Sequence, residues 1–159
     1  MGADNAPRVT TVLADPRPAR FWINWLLAVA AGVIAFGLAL VLAPSFARRG
    51  FSLLVYASDV RIDGFGPEAV RYIGLAHAVI GAVMVGWSVA LFYATTSLLA
   101  RGDRIGWNLV AGSVAAWFVP DTAYSLISGF WQNALLNLAF AILFALPLWG
   151  IRSRMREDG

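Results

Sequence analysis

Residues 105–151 read IGWNLVAGSVAAWFVPDTAYSLISGFWQNALLNLAFAILFALPLWGI, and Asp121 is the only charge among them. A bilayer core of ~30 Å is crossed by about 20 apolar helical residues. This run is about twice that length, so a chain that enters a membrane here has to turn back once inside it. Ser128-Gly129 supplies the turn signal. The reading gives two spans, about 107–128 and 131–149, and the arginines of Arg152-Ser-Arg-Met-Arg156 close the second of them.

Two further runs lie upstream. Phe21 to Ala47 carries no charge, and neither does Tyr72 to Ala100. They place a first span at about 22–43 and a second at about 72–96. The first run exceeds the ~7–15 apolar residues of a signal peptide, so it is read as a span that is kept. The composition agrees. Sixty per cent of the 159 residues are hydrophobic and 13% charged, with a mean hydropathy of +0.71, whereas soluble domains are about half apolar and a quarter charged. The expected fold is all-α, an integral membrane four-helix bundle. Residues 1–20 form a flexible cytoplasmic tail, 21–151 the four-span domain and 152–159 a second cytoplasmic tail.

Between the first two spans lies one long extracytoplasmic loop, PSFARRGFSLLVYASDVRIDGFGPEAVR, residues 44–71. Its apolar piece Phe51 to Tyr56 is too short to cross, and a short interfacial helix or extended segment is expected. Orientation follows from the arginines. One side holds Arg8, Arg17, Arg20, Arg101, Arg104, Arg152, Arg154 and Arg156. The other holds Arg48, Arg49, Arg61 and Arg71, offset by Asp59, Asp63 and Glu68. The positive-inside rule puts both termini in the cytoplasm of a multi-pass cell-membrane protein. Trp22, Trp25, Trp107 and Trp149 fall at that inner interface and Trp131 at the outer one. Twelve Arg without a single Lys, beside abundant Ala, point to a GC-rich bacterial genome.

Several chemistries are excluded or lack a motif. The net charge of +3 does not mark a nucleic-acid binder, because the arginines sit at the ends of apolar runs instead of forming a basic face. Without cysteine there are no disulfides, thiolate metal sites or cysteine nucleophiles. No hydrolase, metalloprotease or phosphate-loop motif occurs, so neither a metal nor another cofactor is expected. The chain resembles the small multidrug resistance transporters in span number alone. Those carry an acidic residue in their first helix, and this first span has none.

Two features remain. Small residues recur every fourth position in the second span, at Gly74, Ala78, Ala82, Gly86, Ala90 and Ala94. The first span repeats this at Ala31, Ala35, Ala39 and Ala43. Such ridges let helix backbones approach in lipid, either within the chain or across the seam of a homodimer or another membrane-protein partner. Asn24 and Asn108, at similar depth, are expected to hydrogen-bond.

The second feature is polarity at one depth. His77 on the second span, Asp121 on the third and Asn137 on the fourth all fall in the outer third. Ser125 follows Asp121 at i+4, and Asn133 opens the fourth span. Polar groups inside a membrane are costly and pair or face inward. His77, Asp121, Ser125, Asn133 and Asn137 therefore form a candidate ligand pocket, with Asp121 as a cap for the backbone opened by Pro120 as the structural alternative. Two functions stay open. One is a non-enzymatic accessory, scaffold or partner-binding subunit. The other is a transporter-like protein or an intramembrane enzyme that handles a proton or small molecule in an outer-leaflet polar pocket around His77 and Asp121.

Overall fold

A computed structural model describes residues 20–157. The expected N-terminal tail, apart from Arg20, lies outside the described residues, as do the last two residues of the C-terminal tail. Among the described residues the structure is helical, with no strand. Five helices follow one another: α1 (Arg20–Leu42), α2 (Pro44–Tyr56), α3 (Pro67–Ser97), α4 (Arg104–Ile127) and α5 (Trp131–Glu157).

Among the described residues three segments are long and apolar enough to cross a membrane: Arg20–Leu42, Pro67–Arg101 and Trp131–Met155. α4, with 24 residues, has the length to cross. It is less apolar because Asn108, Ser113, Pro120, Asp121 and Thr122 interrupt its run.

Local chemistry sets the boundaries. Pro67 starts α3 where a missing N–H costs nothing, after Gly66 at φ 91°. Asp103 caps α4, its carboxylate accepting from Ile105 N–H at 2.8 Å. The α4 C-terminus closes in a Schellman turn. Gly129 adopts φ 81°, Phe130 N–H donates to Ser125 O at 2.7 Å, and Gly129 N–H donates to Leu126 O at 3.2 Å. α5 continues through the arginines of the expected C-terminal tail as far as Glu157.

The segment after α1 is a helix, α2, and side-chain bonds pin it to residues 58–63. Ser52 is fully buried. Its hydroxyl donates to Ser58 O at 2.5 Å and accepts from Ile62 N–H at 3.3 Å. Arg48 and Asp63 form an ion pair at 2.6 Å. Phe51 faces α3, whereas Phe46 is exposed.

α1 packs along α3 over the longest interface and α4 along α5 over the next longest. Shorter contacts join α1 to α5 and α3 to α4. The α1–α3 seam closes at two glycines. A Cβ on Gly37 would stand 2.6 Å from Gly81 O, and one on Gly81 would press closer still on Gly37 O. The α1 face that is buried runs Ile23, Leu26, Ala30, Val33, Gly37 and Leu40. These steps of three and four residues keep one stripe on the partner helix. At the centre Trp87 lies 5.8 Å from Trp117 and 5.9 Å from Phe144, ring centre to ring centre.

Two packing expectations are corrected. The small-residue ridge of α3 is not the seam: Ala82, Gly86 and Ala90 are exposed, and a Cβ on Gly74 or Gly86 would meet nothing within 4 Å. Asn24 and Asn108 are both exposed and make no bond to each other, because α1 packs beside α3 and α5 and not beside α4.

Candidate functional site

The turn at Ser128–Phe130 lays the last residues of α4 antiparallel to the first of α5. That brings three of the sequence-predicted polar residues into one network. Asn133 Nδ2 donates to Ser125 Oγ at 2.8 Å and to Asp121 Oδ1 at 3.1 Å. Ser125 Oγ donates to Asp121 O, one helical turn back, at 2.7 Å, and lies 3.4 Å from Asp121 Oδ1. The next rung away from the turn is Asn137 Nδ2 to Thr122 Oγ1 at 3.4 Å. Ser125 and Asn137 are buried, while Asp121 and Asn133 are half-buried.

These contacts have a structural consequence. Each amide reaches from α5 to α4, so the network clasps the two helices beside their turn. The alternative role for Asp121, capping backbone amides beside Pro120, does not appear. α4 continues through Pro120, and the side-chain partners of Asp121 are Ser125 and Asn133.

His77 does not join them. It is buried on the α3 face that looks toward α2, its ring stacked on Phe51 with centroids 4.6 Å apart. Its Nδ1 has no hydrogen-bond partner. Neither a hydrogen bond nor an ion pair connects it with Asp121 among the described residues. Among the described residues two other buried side-chain atoms lack a hydrogen-bond partner, Ser88 Oγ and Gln132 Oε1, although Gln132 Nε2 reaches Val55 O at 3.4 Å and ties α5 to the end of α2. Among the described residues no three His, Cys, Asp or Glu side chains converge as a metal site would require.

Two contacts that sequence reading missed involve tryptophans. Trp25 Nε1 donates to Leu143 O at 3.0 Å. Leu143 O is the carbonyl left without its helical donor by Pro147, four residues on. Trp107 Nε1 donates to Leu148 O at 2.9 Å. An interfacial tryptophan is legible in sequence, but its carbonyl acceptor is not. The proline four residues after that carbonyl was the available signal for the first pair.

No protein-family model matches this chain, and no match appears among curated proteins or solved structures.

Proposed function

We propose that this chain is a non-enzymatic membrane subunit whose four long helices, α1, α3, α4 and α5, each cross the bilayer as one bundle. Both termini lie in the cytoplasm, α2 lies at the outer surface, and the protein binds a partner helix within the membrane. The observation that carries this reading is the Asp121–Ser125–Asn133 network. Asn133 of α5 donates to both Ser125 and Asp121 of α4, the kind of side-chain bond that joins two helices within a membrane. A centre in which Asp121 and His77 exchange a proton directly would need a hydrogen bond between them, and His77 stacks on Phe51 instead. The exposed Ala82, Gly86 and Ala90 of α3 add a surface on which a partner backbone can approach closely.

A second copy of the chain is the first partner to test. Gly86→Ile should leave detergent melting within a degree or two, since an added side chain there meets open space, while shifting sedimentation in mild detergent toward the monomer. A clear drop in melting temperature, or association unchanged by the substitution, would exclude the ridge as the contact surface.

The proton- or solute-handling reading keeps one supporting observation, the buried and unpartnered Nδ1 of His77. It gains if Asp121→Asn abolishes a transport signal while leaving the melting curve intact.

A further inference from the structure

We infer that the groove between α4 and α5, at the end away from their shared turn, binds one acyl chain of an anionic phospholipid. This rests on the reading that both helices cross the membrane. The groove is open along one side and has a volume of about 580 Å³, within the ~300–1,000 Å³ typical of small-molecule sites. Ala111 and Ala115 of α4 face Ala141 and Ala145 of α5 along it. These methyl side chains leave a trough between two helices that are clasped beyond it by Asn133 and Asn137.

The length of the trough identifies the occupant. Trp107 and Arg152 stand at one end, with Phe118 and Ala141 at the other. Each helix contributes the same stretch, ~16 Å at 1.5 Å per residue. That is about half of a ~30 Å hydrocarbon core, the depth of a single leaflet. A partner helix crossing the membrane would need a trough running through both leaflets. A lipid tail needs only one.

The mouth adds the charge. The Arg152 guanidinium lies 4.5 Å from the centroid of the Trp107 ring. The ring is itself fixed by its N–H bond to Leu148 O. Stacked in this way, Arg152 keeps its edge N–H groups for an acceptor, and the fork matches a phosphate. Among the residues whose side chains are described, 20–155, Arg152 has no carboxylate partner. An apolar trough one leaflet deep that ends at a held arginine matches an amphiphile with an apolar tail and an anionic head.

The test uses the full chain, delipidated in mild detergent and titrated in native mass spectrometry. The probes are phosphatidylglycerol and phosphatidylcholine with identical acyl chains. One phosphatidylglycerol should bind about five-fold more tightly than phosphatidylcholine, the worth of one arginine beside an anionic headgroup. Arg152→Gln, on the surface and safe for folding, should bring the two lipids to equal affinity. Ala145→Trp should fill the trough and weaken both by about ten-fold. Equal affinity for the two lipids in the unaltered chain would overturn the inference, as would undiminished phosphatidylglycerol binding after Ala145→Trp in a protein that still melts normally. A dimer that Ala145→Trp dissociates, with no lipid retained, would assign the groove to a second copy instead. If Ala145→Trp does not fold, the loss of lipid preference in Arg152→Gln decides alone. Thiol labelling at positions 102 and 128, on either side of α4, tests the crossing of that helix separately.

Discussion

At the scale of single residues, the α4–α5 clasp depends most on Asn133. Its amide donates twice, to Ser125 and to Asp121. Asn133→Ala removes both bonds and leaves a half-buried carboxylate without its amide donor. The expected loss is ~1–3 kcal/mol in detergent unfolding, whereas Ser125→Ala, which keeps the Asn133–Asp121 bond, should cost less. His77 makes a contrasting case. In a cycle of His77→Ala, Asp121→Ala and the double variant, the losses should add within about 0.5 kcal/mol, because neither a hydrogen bond nor an ion pair joins the two side chains. Coupling well above that would place them together after all. Depth along the chain was enough to group Asp121, Ser125 and Asn133, because i+4 spacing and a tight turn fix both distance and face, whereas Asn137 bonds Thr122. Depth carried no information about azimuth. His77, expected at the same depth, is turned toward Phe51 of α2, a neighbour that depends on how the segment between α1 and α3 folds.

At the scale of helices, glycine position decides how closely α1 and α3 approach. Gly81→Val would press its Cβ against Gly37 O, closer than van der Waals contact allows. The helices would have to separate, at a cost of ~1–3 kcal/mol or more in thermal unfolding, against almost none for Gly86→Ile. A strict every-fourth-residue ridge is a poor guide for a geometric reason. Four residues turn about 400°, so each step drifts ~40° round the helix. From Gly74 to Ala94 the ridge has moved through more than half a turn. The buried face follows alternating steps of three and four instead, as Ala30, Val33, Gly37 and Leu40 do on α1. That register was present in the sequence, but several equally apolar registers competed with it. The Trp25–Leu143 bond gives another test at this scale. Trp25→Phe should cost ~0.5–1.5 kcal/mol. In a Pro147→Ala background the helix regains its own donor for Leu143 O, so the cost of Trp25→Phe should shrink. An unchanged cost would mean that the indole N–H contributes nothing at that carbonyl.

For the whole molecule, the decisive question is how many times the chain crosses. Apolar run lengths make α1, α3 and α5 legible as spans, and those three helices meet the requirement by length and hydropathy. α4 is different. Its polar residues lower its apolar character, and the case for a fourth crossing rests on the length of residues 105–151 and on the packing of α4 against α5. The absence of cysteine makes this directly testable, since every introduced thiol is unique. Gly102→Cys, before α4, and Ser128→Cys, after it, bracket the helix. Asp59→Cys reports the segment between α1 and α3, and Gly159→Cys reports the C-terminus. If α4 crosses, a membrane-impermeant maleimide applied to intact cells should label positions 59 and 128. Positions 102 and 159 should react only after permeabilisation, with the arginine-rich ends held on the cytoplasmic side. If α4 lies on one surface, positions 102 and 128 must share a side. α5 would then carry residue 159 across to the other, so 128 and 159 stay opposed in either case, and it is the pairing of 102 with 128 that separates four crossings from three. Labelling of 102 and 128 under the same condition would leave α4 as a surface helix, and the clasp at Asp121, Ser125 and Asn133 would then lie at an interface instead of within the outer leaflet.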